Sequence, residues 1–143
     1  MLKGIPNCLS PDLLRILMEM GHGDELVLAD GNFPSASIGR RLVRADGLIV
    51  PILLDAILQF LPLDDFVPLP VVLMAVVSGQ DHQPGIWSTY LETIRKHEPR
   101  FQEFEFLERS GFYERAKSAY AVVATSEPSL YANIILKKGI VSD

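Results

Sequence analysis

The sequence predicts an α/β fold: one three-layer domain with a mainly parallel sheet flanked by helices. Two patterns in the 143 residues predict it. Two unbroken apolar runs, residues 26–29 and 71–77, are bounded by turn-forming residues, as strands buried on both faces are. Between them lie segments whose apolar residues recur at helical spacing. One domain of this length, residues 1–143, buries roughly 68% of the surface its unfolded chain exposes.

In chain order, Ser10-Pro11 starts the first helix, with serine as N-cap and proline where its missing N–H costs nothing. Leu13, Ile16, Leu17 and Met20 form its buried face, and Gly21 is expected to supply a left-handed C-cap. Residues 26–29 are the first strand, and Asp30 stands at its carboxyl end, the ligand side of an open α/β sheet. Residues 31–34 are turn chemistry and 34–39 an irregular segment; 42–44 form a short strand closed by Asp46-Gly47. A helix is expected over 51–61, a strand over 71–77, and a polar loop carrying a solvated His82 over 79–85. Trp87, Tyr90, Leu91 and Ile94 set a helix over 86–97, with His97 at its negative end. Phe104 and Phe106 alternate with Glu103 and Glu105 as a half-exposed strand. After Arg109-Ser110-Gly111 come a short helix, 112–119, and two strands, 120–125 and 133–136.

A formal charge of −5 with scattered Lys and Arg disfavours nucleic acid as a partner. No apolar run approaches the ~20 residues of a membrane span, and the N-terminus lacks a signal-peptide core. Cys8 is the single cysteine, so no internal disulfide forms, and a cytoplasmic location is expected. A mean hydropathy of +0.21 leaves apolar surface that homo-oligomerisation would cover.

The stretch with most chemical promise is Gly21-His22-Gly23-Asp24-Glu25. A histidine between glycines has an open backbone and moves a proton near neutral pH. Its candidate partners are Asp30, Asp64, Arg109, Tyr113, Tyr131 and Asn133, a mixture of carboxylates, amide and proton carriers that suits a sugar. Each has a plain structural role beside the chemical one. Asp30 starts a turn, Asp64 ends a helix, Arg109 pairs with Glu108 or Glu105, and the tyrosines pack. No nucleotide-binding glycine fingerprint is present, and His22, His82 and His97 lack metal-ligand spacing, so no metal is expected.

Five motifs are similar, in order and spacing, to one family: Met20-Gly-His-Gly-Asp-Glu25; Ala29-Asp30 with Asn32-Phe33-Pro34; Arg44-Ala-Asp-Gly47; Phe112-Tyr-Glu-Arg-Ala116; and Tyr131-Ala-Asn-Ile-Ile-Leu-Lys-Lys-Gly139. The chain resembles the L-fucose mutarotase branch of the ribose pyranase/fucose mutarotase family over almost its whole length. The resemblance implies that His22 transfers a proton, that Tyr113 is the second catalytic residue, and that Asp30, Arg109, Tyr131 and Asn133 bind sugar. It also implies Asp64 as a further active-site contact, Met74 as a pocket-lining position, and ring-like oligomers, commonly decamers, in which a neighbouring subunit completes each site. Tyr131-Ala132-Asn133 carries alanine where the fucose branch usually has glycine, a ribose pyranase feature, whereas Phe-Tyr-Glu-Arg-Ala and Arg-Ala-Asp-Gly belong to the fucose branch.

Mutarotation opens an aldose hemiacetal when a base takes the anomeric proton and an acid protonates the ring oxygen, so no cofactor is required. His22 and Tyr113 are the expected pair. The alternatives are a D-ribose pyranase and a non-catalytic sugar-binding or transport-accessory protein. Gly23→Val is expected to damage activity more than fold.

Overall fold

The computed structural model describes residues 1–143. Its elements in order are α1 (Pro11–Glu19), β1 (Glu25–Ala29), α2 (Ser35–Ile38), β2 (Leu42–Ala45), α3 (Val50–Leu58), β3 (Val71–Met74), α4 (Ile86–His97), β4 (Glu105–Leu107), α5 (Arg109–Ser118), β5 (Ala121–Thr125) and β6 (Ile134–Lys137). The six strands make one sheet in the order β2-β5-β1-β6-β3-β4.

The sheet is mixed, which corrects the expectation of a mainly parallel one. The pairs β1–β5, β2–β5 and β3–β4 are parallel, but β6 runs antiparallel to both its neighbours, β1 and β3. The reason lies in the connection between β5 and β6. Residues 126–133 contain no helix, and a parallel return needs a crossover of a dozen residues or more. The chain therefore leaves β5, passes the end of β1 and re-enters the sheet from the same edge.

Side-chain alternation along the strands divides the core. Leu26, Leu28, Val71, Leu73, Ile134 and Leu136 join α1, α3 and α4 in one cluster, while Val27, Ala29, Val72, Val122 and Ile135 join Phe33, Ile38, Phe112 and Ala116 in the other. Each fully buried aliphatic side chain contributes about 1.5–3 kcal/mol.

Several boundaries differ from expectation. The helix over 51–61 is α3, which stops at Leu58, and β3 ends at Met74 rather than at residue 77. The last helix begins at Arg109, three residues early, so Arg109 sits in its first turn. At the end of α1 the cap is Met20, with extended backbone (φ −65°, ψ 135°), and the left-handed residue is Gly23 (φ 86°), not Gly21.

Because β6 is antiparallel, its start lies at the carboxyl ends of β1 and β3 and its end at their amino ends. The edge at the carboxyl ends of β1, β3, β4 and β5 carries Asp30, Arg109 and Asn133, the residue before β6. The opposite edge carries residues 22–24, bonded to the far end of β6 through Gly23 N–H to the Lys138 carbonyl (2.8 Å) and Lys138 N–H to the Asp24 carbonyl (2.8 Å). Asp64 N–H donates to the Lys137 carbonyl there at 3.0 Å, and Gly139 N–H to the Pro62 carbonyl at 2.8 Å. Gly139 is squeezed against this strap: a Cβ would stand 2.6 Å from the Leu63 carbonyl oxygen and 3.0 Å from Asp64 Cα. Gly139→Ala is expected to lower stability by about 1–3 kcal/mol in urea unfolding. By contrast, Gly111→Ala within α5, where the added methyl meets nothing closer than 3.8 Å, should raise stability by about 0.4–1 kcal/mol in the same assay.

Candidate active site

At the carboxyl edge the chain turns sharply after β1, and Asp30 is buried to 8% exposure. Its side-chain Oδ1 accepts from Asn32 N–H at 2.9 Å, and its own N–H donates to Asn133 Oδ1 at 2.7 Å. Burial pushes the Asp30 carboxyl up; the Asn32 and Phe33 N–H groups oppose this, and the nearby Glu127 charge adds to it. Phe33 follows in the same turn, and its ring meets the Tyr113 ring edge-on, with centroids 5.1 Å apart. The Arg109 guanidinium lies 5.3 Å from the centre of the Tyr113 ring. Asp30, Asn133, Tyr113 and Arg109 are thus linked by direct contacts or through Phe33. No ion pair forms between Arg109 and Glu105 or Glu108; Glu105 is held instead by Arg115, at 3.4 Å.

Tyr131 belongs to the same edge. Its hydroxyl donates to Gln80 Oε1 at 2.8 Å and accepts from Val77 N–H at 3.3 Å. His82 is exposed, as expected, and its ring lies 5.7 Å from that of Tyr131. A cavity of about 380 Å³ beside this tyrosine is lined by Val77, Gln80, His82, Trp87 and Phe106. A smaller one of about 200 Å³ lies against Asp30, Phe33, Ser35, Arg44 and Thr125. Met74, at the end of β3, is 7% exposed and packs in the core cluster of Phe33 and Phe112.

His22 and Asp64 stand at the opposite edge. His22 Nε2 lies 3.0 Å from Asp64 Oδ1, and Asp64 is only 4% exposed. Burial pushes the Asp64 carboxyl up, but the Phe66 N–H at 3.1 Å and the imidazole outweigh it, leaving the group below its ordinary range. An ionised carboxylate accepts the Nε2 proton, which leaves the Nδ1 lone pair as the basic site. Phe66, 69% exposed, stands against the imidazole with ring centroids 5.1 Å apart. Gly23 keeps its place through backbone conformation rather than space: no atom lies within 4 Å of where a methyl would stand, but φ is 86°. Gly23→Val would therefore strain the backbone, a cost to the fold that stands beside the expected damage to activity.

The structure therefore brings five expected residues to one edge and two to the other. Five strand residues, Glu25–Ala29, lie between His22 and Asp30, about 13 Å at ordinary strand rise. Within one chain His22 and Tyr113 do not meet. His97, read as a partner of the helix dipole, also bonds Asp55 Oδ1 through Nε2 at 2.7 Å, tying α4 to α3. No group of three or more His, Cys, Asp or Glu side chains is arranged to hold a metal, and no helix is long and apolar enough to cross a membrane.

Several contributors were given no role by sequence reasoning. Phe33 sits in a segment that reads as a turn and Glu127 in the link between the last two strands; Glu127 is 3% exposed and accepts from Val50 N–H at 3.2 Å and Ser129 N–H at 3.0 Å. Trp87 and Tyr90 read only as the buried face of α4. Gln80 lies in a polar loop with no pattern to single it out.

Comparison with known proteins adds to this geometry. Over 99% of this chain and 100% of the other, the fold matches the crystal structure of the fucose mutarotase from Streptococcus pneumoniae in complex with L-fucose, with TM-score 0.95 and 57% identity. The chain is 46% identical over 140 residues to an L-fucose mutarotase of Histophilus somni, covering 98% of this chain and 97% of that one. It is 51% identical over 144 residues to the fucose mutarotase of Mus musculus, covering 96% and 94%. The RbsD / FucU transport protein family matches residues 3–141, and the chain belongs to that family.

Proposed function

We propose that this chain is an L-fucose mutarotase, an isomerase that interconverts the α and β anomers of the free sugar without a cofactor, and that residues 1–143 act as one such domain. The observation that carries it is the cluster of buried Asp30 and Asn133 with half-buried Tyr113 and exposed Arg109 at the carboxyl edge, in a chain 57% identical to a fucose mutarotase solved with L-fucose. The same similarity, with the fucose-branch motifs, favours fucose over ribose.

In the proposed reaction His22 Nδ1 takes the anomeric O–H proton while the Tyr113 hydroxyl protonates the ring oxygen. The C1–O5 bond breaks, the aldehyde rotates about C1–C2, and closure on the other face returns both protons. Asp64 holds the imidazole in the tautomer this requires. Asp30, Arg109, Tyr131 and Asn133 bind the hydroxyls.

Because the two proton carriers stand at opposite edges of the sheet, the working site is formed between copies. The exposed Phe66 beside His22 and the exposed Leu130 beside Tyr131 support this, since both edges present apolar surface a neighbour would cover. We take the assembly to be a ring, a decamer as the family resemblance implies, and the location to be cytoplasmic.

Exchange NMR on L-fucose should show faster anomer interconversion with catalytic protein. His22→Ala should lose about 10²–10⁴-fold of it, and no acceleration by the wild type would sink the proposal. Acceleration confined to ribose would mean a pyranase; sugar binding without acceleration would mean a carrier. Mixing inactive His22→Ala with inactive Tyr113→Phe should restore up to about a quarter of the wild-type rate once subunits exchange, whereas a site within one chain would restore none.

Asp30 supplies a test by stability. Its folded-state carboxyl is raised, so between the ordinary aspartate value and the raised one the native state binds more protons than the unfolded state. Stability falls as pH rises through that window, and the loss persists above it. Asp30→Asn should therefore abolish activity yet raise Tm at pH 7, with the difference in Tm vanishing below about pH 4.

A further inference from the structure

Tyr131 has φ 58° and is the one non-glycine residue with positive φ. Such backbone persists in a tyrosine only where its surroundings over-determine it. Here the determinants come from α4. Trp87 Nε1–H donates to the Tyr131 carbonyl at 2.9 Å, and the Tyr90 hydroxyl donates to the Ala132 carbonyl at 2.6 Å. The two donors are one helical turn apart on the same face. Tyr90 is completely buried, and burial, with the charges of Glu127 and Asp30, pushes its hydroxyl up, so it stays a protonated donor at any working pH. One residue beyond these carbonyls, Asn133 takes the Asp30 N–H.

We propose that Tyr90 and Trp87 are positioning residues: their two donors hold the left-handed turn at Tyr131 and so set where the Tyr131 ring and the Asn133 amide stand against Asp30. Neither touches the reacting atoms, so their effect falls on sugar affinity rather than on proton transfer. The affinity part rests on the mutarotase assignment; the geometric part does not.

The test uses Tyr90→Phe, which keeps the ring and removes the donor, and Trp87→Phe, which removes the donor and trades the indole for a smaller aromatic ring, singly and together. In the double variant KM for L-fucose in the exchange assay should rise about tenfold, with kcat within about twofold of wild type. By hydrogen exchange, the Asp30 amide should open about tenfold faster relative to the Val27 amide of the same strand. A purely structural role would lower Tm and speed both amides together while leaving KM unchanged. That outcome, or an unchanged Asp30-to-Val27 ratio, overturns the proposal. If the double variant does not fold, the single variants are read by the same criteria. Should the wild type fail to accelerate fucose exchange, the mutarotase assignment falls, and the amide ratio alone decides whether these donors position the turn.

Discussion

The antiparallel ladder that β6 forms with β1 and β3 is the interaction on which the remainder depends. It fixes Asn133 beside Asp30 at one end and, through Lys137, Lys138 and Gly139, the strap carrying Asp64 and His22 at the other. A one-residue slip of this strand would turn Ile134 and Leu136 from one core cluster to the other and would displace both groups of polar residues together. The two groups of polar residues are therefore held in register by apolar packing, Ile134, Ile135 and Leu136 being completely buried.

Two carboxylates sit in that frame with opposite electrostatic outcomes. Both are nearly inaccessible, and burial opposes the charge of each. Asp64 has an imidazole and a backbone N–H to set against the loss of water, and it emerges below its ordinary range. Asp30 has N–H donors too, but also a buried neighbour, Glu127, of like charge, and it emerges above. A carboxylate held low is suited to orienting a partner, and one held high to gripping a hydroxyl while its proton remains within reach.

Much of the fold was legible in local signals. Ser10-Pro11 set the start of α1, and the serine Oγ indeed accepts from Leu13 N–H at 3.1 Å; the spacing of Trp87, Tyr90, Leu91 and Ile94 set the bounds of α4. The direction of β6 was not legible from its own residues, because a short apolar strand reads alike either way; the helix-free link before it was the available signal. Arg109 was misjudged because Gly111 weakens a helical pattern. At the site, residue types were legible but distance was not. His22 and Asp30 are close in sequence, and it is the extended strand between them that carries them to opposite edges.

The place of β6 in the sheet has a consequence for synthesis. It is the last of the six strands in sequence yet lies in the interior of the sheet, between β1 and β3. As the chain emerges from a ribosome, β2, β5 and β1 can assemble as one three-stranded piece and β3 with β4 as another, each with a bare edge where β6 will insert. Those edges are apolar and unpaired until residues 134–137 are free to enter, a template for wrong partners. Nascent chains of this protein are thus exposed to mispairing late in translation, and insertion of one central strand ends that exposure at both edges at once.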